Sequence, residues 1–167
     1  MAPERLSRAH VITVSDGVSA GTREDVSGPA VRNILRNADF EAGDPEVVPD
    51  TQQAVSDAIV AAVVNGAVLV VTTGGTGLGP RDVTPQATSM LIDYEVPGLA
   101  ELMRRAGYES TPMAALSRGI VGVRGHTLII NLPGSLRGAT ESLEAIVPVL
   151  GHAVQLLHGH TKHRPTG

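Results

Sequence analysis

The chain has 167 residues, enough for one domain that buries about 70% of its extended surface on folding. Its net charge of -4, its 2% aromatic content and its lack of cysteine argue against a nucleic-acid or anionic-membrane partner and exclude disulfides and thiolate chemistry. No apolar run reaches the roughly 18 residues of a membrane span, and the N-terminus lacks a signal-peptide pattern. We therefore expect a cytoplasmic protein.

The first third of the chain predicts two strands and two helices. Residues 10–15 are β-branched and apolar, which predicts a buried strand. Ser27 is the expected N-cap of the first helix. Residues 47–48 predict a brief strand, after which Asp50 or Thr51 can cap the next helix.

The pattern of alternating elements continues through the rest of the chain. Residues 67–73 are apolar almost throughout, which is typical of a central parallel strand. A helix is expected at 85–93 and a second one from Pro97 onward. Residues 115–123 and 126–132 predict two further strands, and apolar residues at helical spacing predict a last helix.

This alternation predicts an α/β fold, a three-layer sandwich with a mostly parallel central sheet. Residues 1–160 are expected to form a single compact domain, and 161–167 a disordered tail. Ligands of such sheets bind beyond the carboxyl ends of the strands. The residues that follow predicted strand ends are Asp16, Asp50, Gly74 and Gly134.

A glycine-rich loop follows the strand at 67–73. Four glycines lie within 74–79 and are flanked by threonines, so backbone N–H groups can surround an anion. The loop is not a nucleotide P-loop, because Pro80 and Arg81 stand where Lys and Ser or Thr would be needed, and its glycine spacing does not fit a dinucleotide fingerprint. The alternative is a flexible connector.

Asp50 and Asp82 are the predicted acidic pair. If their strands are adjacent and parallel, both carboxylates reach the same edge of the sheet, where they would suit Mg²⁺ together with substrate phosphates. The alternative is that each aspartate only caps a helix. Arg81 could neutralise a phosphate or be a solvated surface residue.

Several segments in fixed order match a known family over roughly residues 10–157. They are VSDGVSAGTREDVSG, VPD ending at Asp50, TTGGTGLGPRDVTPQAT, VPGLAELMR, LSRGIVGVRG and LIINLPGS. With these, the chain resembles the molybdopterin adenylyltransferase family, which comprises the bacterial Mog and MoaB proteins and the corresponding domain of gephyrin.

The resemblance implies an enzyme of molybdenum cofactor biosynthesis that forms a homotrimer. Such an enzyme transfers AMP from Mg-ATP to the phosphate of molybdopterin, releases pyrophosphate and supplies a downstream metal-insertion protein. Asp50 and Asp82 would serve nucleotide, Mg²⁺ and catalysis. The residues that would hold the pterin and its phosphate are Thr73, Gly74, Gly75, Thr76, Gly77, Ser117, Pro133, Gly134 and Ser135.

Two alternatives remain open at this point. Ser135 follows Pro133-Gly134 where several family members carry a PGNP-like turn, so the chain could be a non-catalytic MoaB-like molybdopterin-binding or scaffold protein. A phosphate-ester or nucleotide hydrolase on a related domain ranks last, because the sequence shows no additional catalytic domain.

Overall fold

A computed structural model describes residues 7–161, in which seven strands form one sheet. The strands are β1 (Arg8–Val14), β2 (Glu41–Ala42), β3 (Glu46–Val48), β4 (Leu69–Thr73), β5 (Tyr94–Glu95), β6 (Val121–Arg124) and β7 (Thr127–Leu132). The helices are α1 (Asp16–Ser19), α2 (Ser27–Asn37), α3 (Gln52–Val64), α4 (Thr84–Ser89), α5 (Pro97–Ser110) and α6 (Leu136–Leu157), with a 3₁₀ helix at Pro112–Leu116.

The centre of the sheet is parallel, and one end of it is antiparallel. β1 pairs in parallel with β2, β3 and β4, and β4 pairs in parallel with β7. β7, β6 and β5 are antiparallel neighbours. β4 and β7 are buried along their whole length, as expected for strands covered on both faces.

Helices cover both faces of the sheet. On one face α2, α5 and α6 place apolar side chains such as Leu35, Met103 and Ile146 against it. On the other face α3 and α4 contribute Ile59 and Ala87. The predicted α/β class, with a mostly parallel sheet between helical layers, is therefore confirmed.

Two local predictions are wrong, and one helix was not predicted. The segment 115–123 is not one strand, because its start belongs to the 3₁₀ helix and pairing begins only at Val121. Ser27 is not the cap of α2, since its hydroxyl donates to Gly134 O and the N–H of Gly28 is bound by Asp25 Oδ1 instead. Helix α1 is an element that the sequence patterns do not predict.

The end of the chain is described only as far as Thr161. Helix α6 runs through Pro148 without a break and ends at Leu157. The predicted disordered tail at 161–167 lies, apart from Thr161, outside the described residues. Between residues 7 and 161 no helix is long and apolar enough to cross a membrane.

Candidate functional site

The glycine loop after β4 is held in a fixed shape by backbone contacts. Gly74 and Gly75 have φ of +108° and +69°, conformations that favour glycine. A Cβ on Gly74 would collide with Val14 O, and one on Gly75 with Thr84 Oγ1. The Gly74 N–H donates to Leu132 O at 3.0 Å, and Thr84 Oγ1 donates to Gly74 O at 2.9 Å. The loop is therefore tied by hydrogen bonds to β7 and α4, which argues against the flexible-connector alternative.

Asp82 folds back onto this loop and does not cap α4. Its Oδ2 accepts a hydrogen bond from Gly79 N at 2.9 Å. A Cβ on Gly77 or Gly79 would lie 2.9 Å from the same oxygen, so both glycines are needed for the carboxylate to pack there. The cap of α4 is Val83, which offers no side-chain bond.

Arg118 holds the middle of the loop and its end together. Its Nε donates to Gly77 O and its Nη2 to Asp82 O, both at 2.8 Å, while its own N–H donates to Thr76 O at 2.8 Å. A third guanidinium contact reaches Gln86 on α4 at 3.2 Å. Sequence spacing around Arg118 gives no signal for this role, because the contacts join segments about 40 residues apart.

Asp50 lies at the end of β3 and forms a reciprocal pair with Asp16. The Asp16 N–H donates to Asp50 Oδ2 at 2.7 Å, and the Asp50 N–H donates to Asp16 Oδ1 at 3.0 Å. Thr51, not Asp50, caps α3 through Ala54 N. β1 lies between β3 and β4, so the expectation that the strands before Asp50 and Asp82 are adjacent is wrong, although both residues reach the same sheet edge.

The two aspartates of this pair differ electrostatically. The hydrogen bond from Asp50 N–H and the Arg81 guanidinium, whose Nε lies 2.8 Å from Asp16 Oδ2, lower the pKa of Asp16. Burial raises the pKa of Asp50, and repulsion from Asp16 and Asp82 adds to the effect. Arg81 therefore neutralises Asp16, while the charge of Asp50 is only partly offset.

Two cavities meet at the glycine loop. The first, about 440 Å³, lies between α5, the 3₁₀ helix and α6, and we name it the α5–α6 cavity. The second, about 560 Å³, is lined by Asp50 and by residues that follow β1, and we name it the aspartate cavity. Both fall within the roughly 300–1,000 Å³ of small-molecule sites. The residues that line both cavities are Gly75, Asp82, Gly134 and Ser135.

The N-terminus of α6 forms the wall that the cavities share. Ser135 caps the helix by accepting from Gly138 N at 3.1 Å. Thr73 Oγ1 donates to Pro133 O at 2.7 Å, which fixes the turn against β4. The first amides of a helix have no intrahelical acceptor and carry partial positive charge, so a phosphate is favoured here. Helix α6 is 22 residues long, and its positively polarised N-terminal end lies at this point.

The structure brings all the predicted site residues to this edge but divides them between the cavities. Thr73 and Gly74 line the aspartate cavity with Asp50. Thr76, Gly77, Ser117 and Pro133 line the α5–α6 cavity. The remaining predicted residues, including Asp82, line both. Arg118 is the residue that the sequence prediction missed, whereas Asp16 was predicted to follow a strand end but was given no role in the site.

The acidic pair suits a divalent cation that arrives with a phosphate. Asp50 Oδ1 and Asp82 Oδ1 take part in no hydrogen bond within residues 7–161. In the same part of the chain no group of three or more acidic, histidine or cysteine side chains could hold a metal by itself. Mg²⁺ needs only one or two carboxylates when substrate phosphates complete its coordination, so these two residues fit such an ion.

Comparison with known proteins gives consistent matches over most of the chain. A family model described as "Probable molybdopterin binding domain" matches residues 10–152. The molybdenum cofactor biosynthesis bifunctional protein of Synechococcus elongatus is 41% identical over 90% of this chain, and the match covers 47% of that protein. The chain thus spans about half the length of this relative.

Two other similar proteins match over nearly their whole length. The molybdopterin adenylyltransferase of Helicobacter pylori strain J99 is 37% identical, with 90% of this chain and 87% of that protein covered. The crystal structure of the molybdopterin biosynthesis enzyme MoaB from Thermus thermophilus is 52% identical, with 92% and 97% covered and a TM-score of 0.86. The resemblance seen in the sequence is confirmed, and the chain belongs to the Mog/MoaB family of molybdopterin-binding domains.

Proposed function

We propose that this protein is a molybdopterin adenylyltransferase of molybdenum cofactor biosynthesis. It would transfer AMP from ATP to the terminal phosphate of molybdopterin and release pyrophosphate. The observation that carries the proposal is the wall shared by the two cavities, in which Gly75, Asp82, Gly134 and Ser135 face both sides. Two phosphorylated substrates bound on either side would meet at this wall.

The division of side chains supports the binding of one substrate in each cavity. The α5–α6 cavity has Met103, Met113 and Leu116 in its lining, which suits a flat heterocycle. The aspartate cavity contains Asp50 and Arg23, which suits a nucleotide phosphate chain together with a cation. We therefore place the pterin in the first cavity and ATP in the second.

The reaction requires no general base. A terminal phosphate oxygen of molybdopterin attacks the α-phosphorus of ATP, the α–β bridging bond breaks, and pyrophosphate leaves with the electron pair. The attacking phosphate is already ionised near neutral pH because its second pKa is about 6. The barrier comes from bringing two polyanions together, so positioning and charge neutralisation supply the catalysis.

The residues present account for that neutralisation. The first amides of α6 and the glycine loop lie where negative charge would concentrate. Mg²⁺, when bound with ATP, would be held by Asp50 and Asp82 and would screen the charge of the phosphates. Arg118 keeps Asp82 and Gly77 in register, since it donates to both carbonyl oxygens.

The test is incubation of the purified protein with molybdopterin, Mg²⁺ and ATP, followed by detection of pyrophosphate and of the adenylylated pterin. The wild type should form both, and Asp82→Ala should form neither. A wild type that binds molybdopterin yet releases no pyrophosphate would refute the enzyme.

That outcome would favour the second candidate, a non-catalytic MoaB-like binding or scaffold protein. Its link to the MoaB branch is the 52% identity to the Thermus protein, although that protein is itself described as a biosynthesis enzyme. Both aspartates are nevertheless present, Asp82 at the shared wall and Asp50 in the aspartate cavity beside it, which a passive binder does not need.

The remaining expectations extend this proposal to the assembly and its surroundings. We propose a homotrimer, which light scattering would test, and transfer of the product to a downstream metal-insertion protein. The chain contains no cysteine, which is compatible with the cytoplasm that we propose as its location.

A further inference from the structure

Helix α6 contributes to the α5–α6 cavity a carboxylate that has no part in the proposed reaction. Glu141 lines this cavity together with Asp82, and these two are the only carboxylates among the described residues that do so. Ser135, which caps α6, lies six residues before Glu141. At 1.5 Å per residue the separation along the helix is about 9 Å. Glu141 thus stands well away from the phosphate end of the cavity.

Glu141 is held in place on one side only. Its Oε1 accepts from Ser110 Oγ at 2.7 Å and from Arg137 Nε at 2.8 Å. These two hydrogen bonds, with Arg137 the larger influence, lower the pKa of Glu141. Its Oε2 makes no hydrogen bond within residues 7–161. The side chain is therefore an oriented carboxylate with one acceptor oxygen available.

The chemistry of a pterin matches this position. Its aminopyrimidinone ring presents an amino group and a ring N–H side by side, at the opposite end of the ring system from the substituent that bears the phosphate. Ionised acceptors make the stronger hydrogen bonds with such donors. With the phosphate at the start of α6, a ring lying along the helix directs its donor edge toward Glu141.

We propose that Glu141 is the residue that selects the aminopyrimidinone ring of the substrate. The assignment rests on the proposed function, because it takes the α5–α6 cavity as the pterin site. It predicts a preference for pterins over lumazines, in which an oxo group replaces the 2-amino group and would face the carboxylate.

The experiment compares the binding of 6-hydroxymethylpterin phosphate and 6-hydroxymethyl-lumazine phosphate by calorimetry. The wild type should prefer the pterin about 10- to 100-fold, the range expected for a hydrogen bond to a charged group. Glu141→Gln should lose most of this preference, since the amide offers a donor as well as an acceptor. A wild type without preference, or a Glu141→Gln variant that keeps it, would overturn the proposal.

Two variants separate selection from structural support. Ser110→Ala removes the hydrogen bond to α5 but leaves the Glu141 carboxylate, so the preference for the pterin should remain. If the preference is lost as in Glu141→Gln, Glu141 acts only by linking α6 to α5. Glu144→Gln changes an exposed carboxylate on the same helix and should bind as wild type.

Adenylyl transfer is measured separately, as pyrophosphate release with molybdopterin. A wild type that selects the pterin but releases no pyrophosphate would reject the adenylyltransferase and keep Glu141. Pyrophosphate release without pterin preference would reject Glu141 alone.

Discussion

The α5–α6 cavity and the aspartate cavity share one wall but are built by different means. The first is a gap between helices, and its shape depends on side chains such as Met103 and Met113. The second lies above strand ends, and its carboxylates are oriented by backbone N–H groups, as Asp50 is by Asp16. Packing of side chains suits recognition of a ring, whereas backbone donors at strand ends suit the handling of charge.

This difference predicts which changes affect binding and which affect turnover. Substitutions on the helical side should weaken pterin affinity, while those at the strand ends should slow the reaction. Asp82 and Gly75 belong to both sides and give the largest effects.

Asp82→Asn should lower kcat by about 10²- to 10³-fold, comparable with the loss of one group that stabilises a transition state, because the Mg²⁺ that Asp82 would hold is bound less well. The amide oxygen can still accept from Gly79 N, so the loop should keep its shape and the molybdopterin Kd should stay close to the wild-type value. Steady-state pyrophosphate release and a binding titration measure the two quantities. An equal loss of affinity would contradict the assignment of Asp82 to turnover.

Gly75→Ala should act in the opposite direction. The residue has φ +69°, and its new Cβ would press on Thr84, so the loop must change at a cost of about 1–3 kcal/mol. We expect a rise of about tenfold in the molybdopterin Kd and a lower Tm, with kcat at saturation less affected. Gly43→Ala is the control, since nothing lies near its Cβ and its φ is ordinary. Unchanged affinity in Gly75→Ala would mean that the loop does not contact the pterin phosphate.

Arg118→Ala should reduce kcat/KM by about tenfold, because the hydrogen bonds that tie the carbonyl oxygens of Gly77 and Asp82 together are lost. Added guanidinium should restore part of the activity, and Arg118→Lys should keep part of it. Arg124→Ala is the matched control, as Arg124 donates to the carbonyl of Leu91 away from the site. Full activity in Arg118→Ala would show that the loop holds its shape without the clamp.

Asp50→Asn should lower kcat less than Asp82→Asn does, yet it should raise Tm at pH 7. The folded pKa of Asp50 is raised above its unfolded value, so its ionisation costs stability at pH values above the folded pKa. That cost fades as the pH falls through the folded pKa, and the two proteins should melt alike below about pH 4.

Asp16→Asn should change the Tm in the opposite direction when the same melting experiment is carried out. The pKa of Asp16 is lowered, so its stabilising contribution is present above its unfolded pKa and is lost as the pH falls through the folded pKa. Its Tm at pH 7 should drop. If the Tm of Asp50→Asn stays at or below the wild-type value, the ionised Asp50 does not destabilise the folded protein.

The layered fold could be read from sequence because it depends on local patterns. The apolar run at β4 and the helical spacing of residues such as Leu143 and Ile146 are intrinsic to their segments. The strand prediction for 115–123 is wrong because residues 115–116 close the 3₁₀ helix Pro112–Leu116, which packs against α5, and strand pairing begins only at Val121.

The candidate site was only half accessible from sequence. Glycine loops and aspartates at strand ends carry their own signal, and the family resemblance supplied the rest. The residues that hydrogen-bond to these groups carry no such signal in the sequence. The role of Asp16 is recognised only once β1 lies beside β3, and that of Arg118 only once β6 brings its segment back to the loop. Such contacts depend on strand order, which local propensity does not encode.

The reciprocal hydrogen bonds between Asp16 and Asp50 link the assembly of the site to the local stability of β3. β3 has three residues and, within residues 7–161, pairs with β1 alone, so it is among the elements expected to open most readily by local unfolding. Each opening would withdraw Asp50 from Asp82 while the buried centre of the sheet stays intact. Hydrogen exchange at the Asp16 and Asp50 amides would then report directly on the fraction of molecules whose acidic pair is assembled.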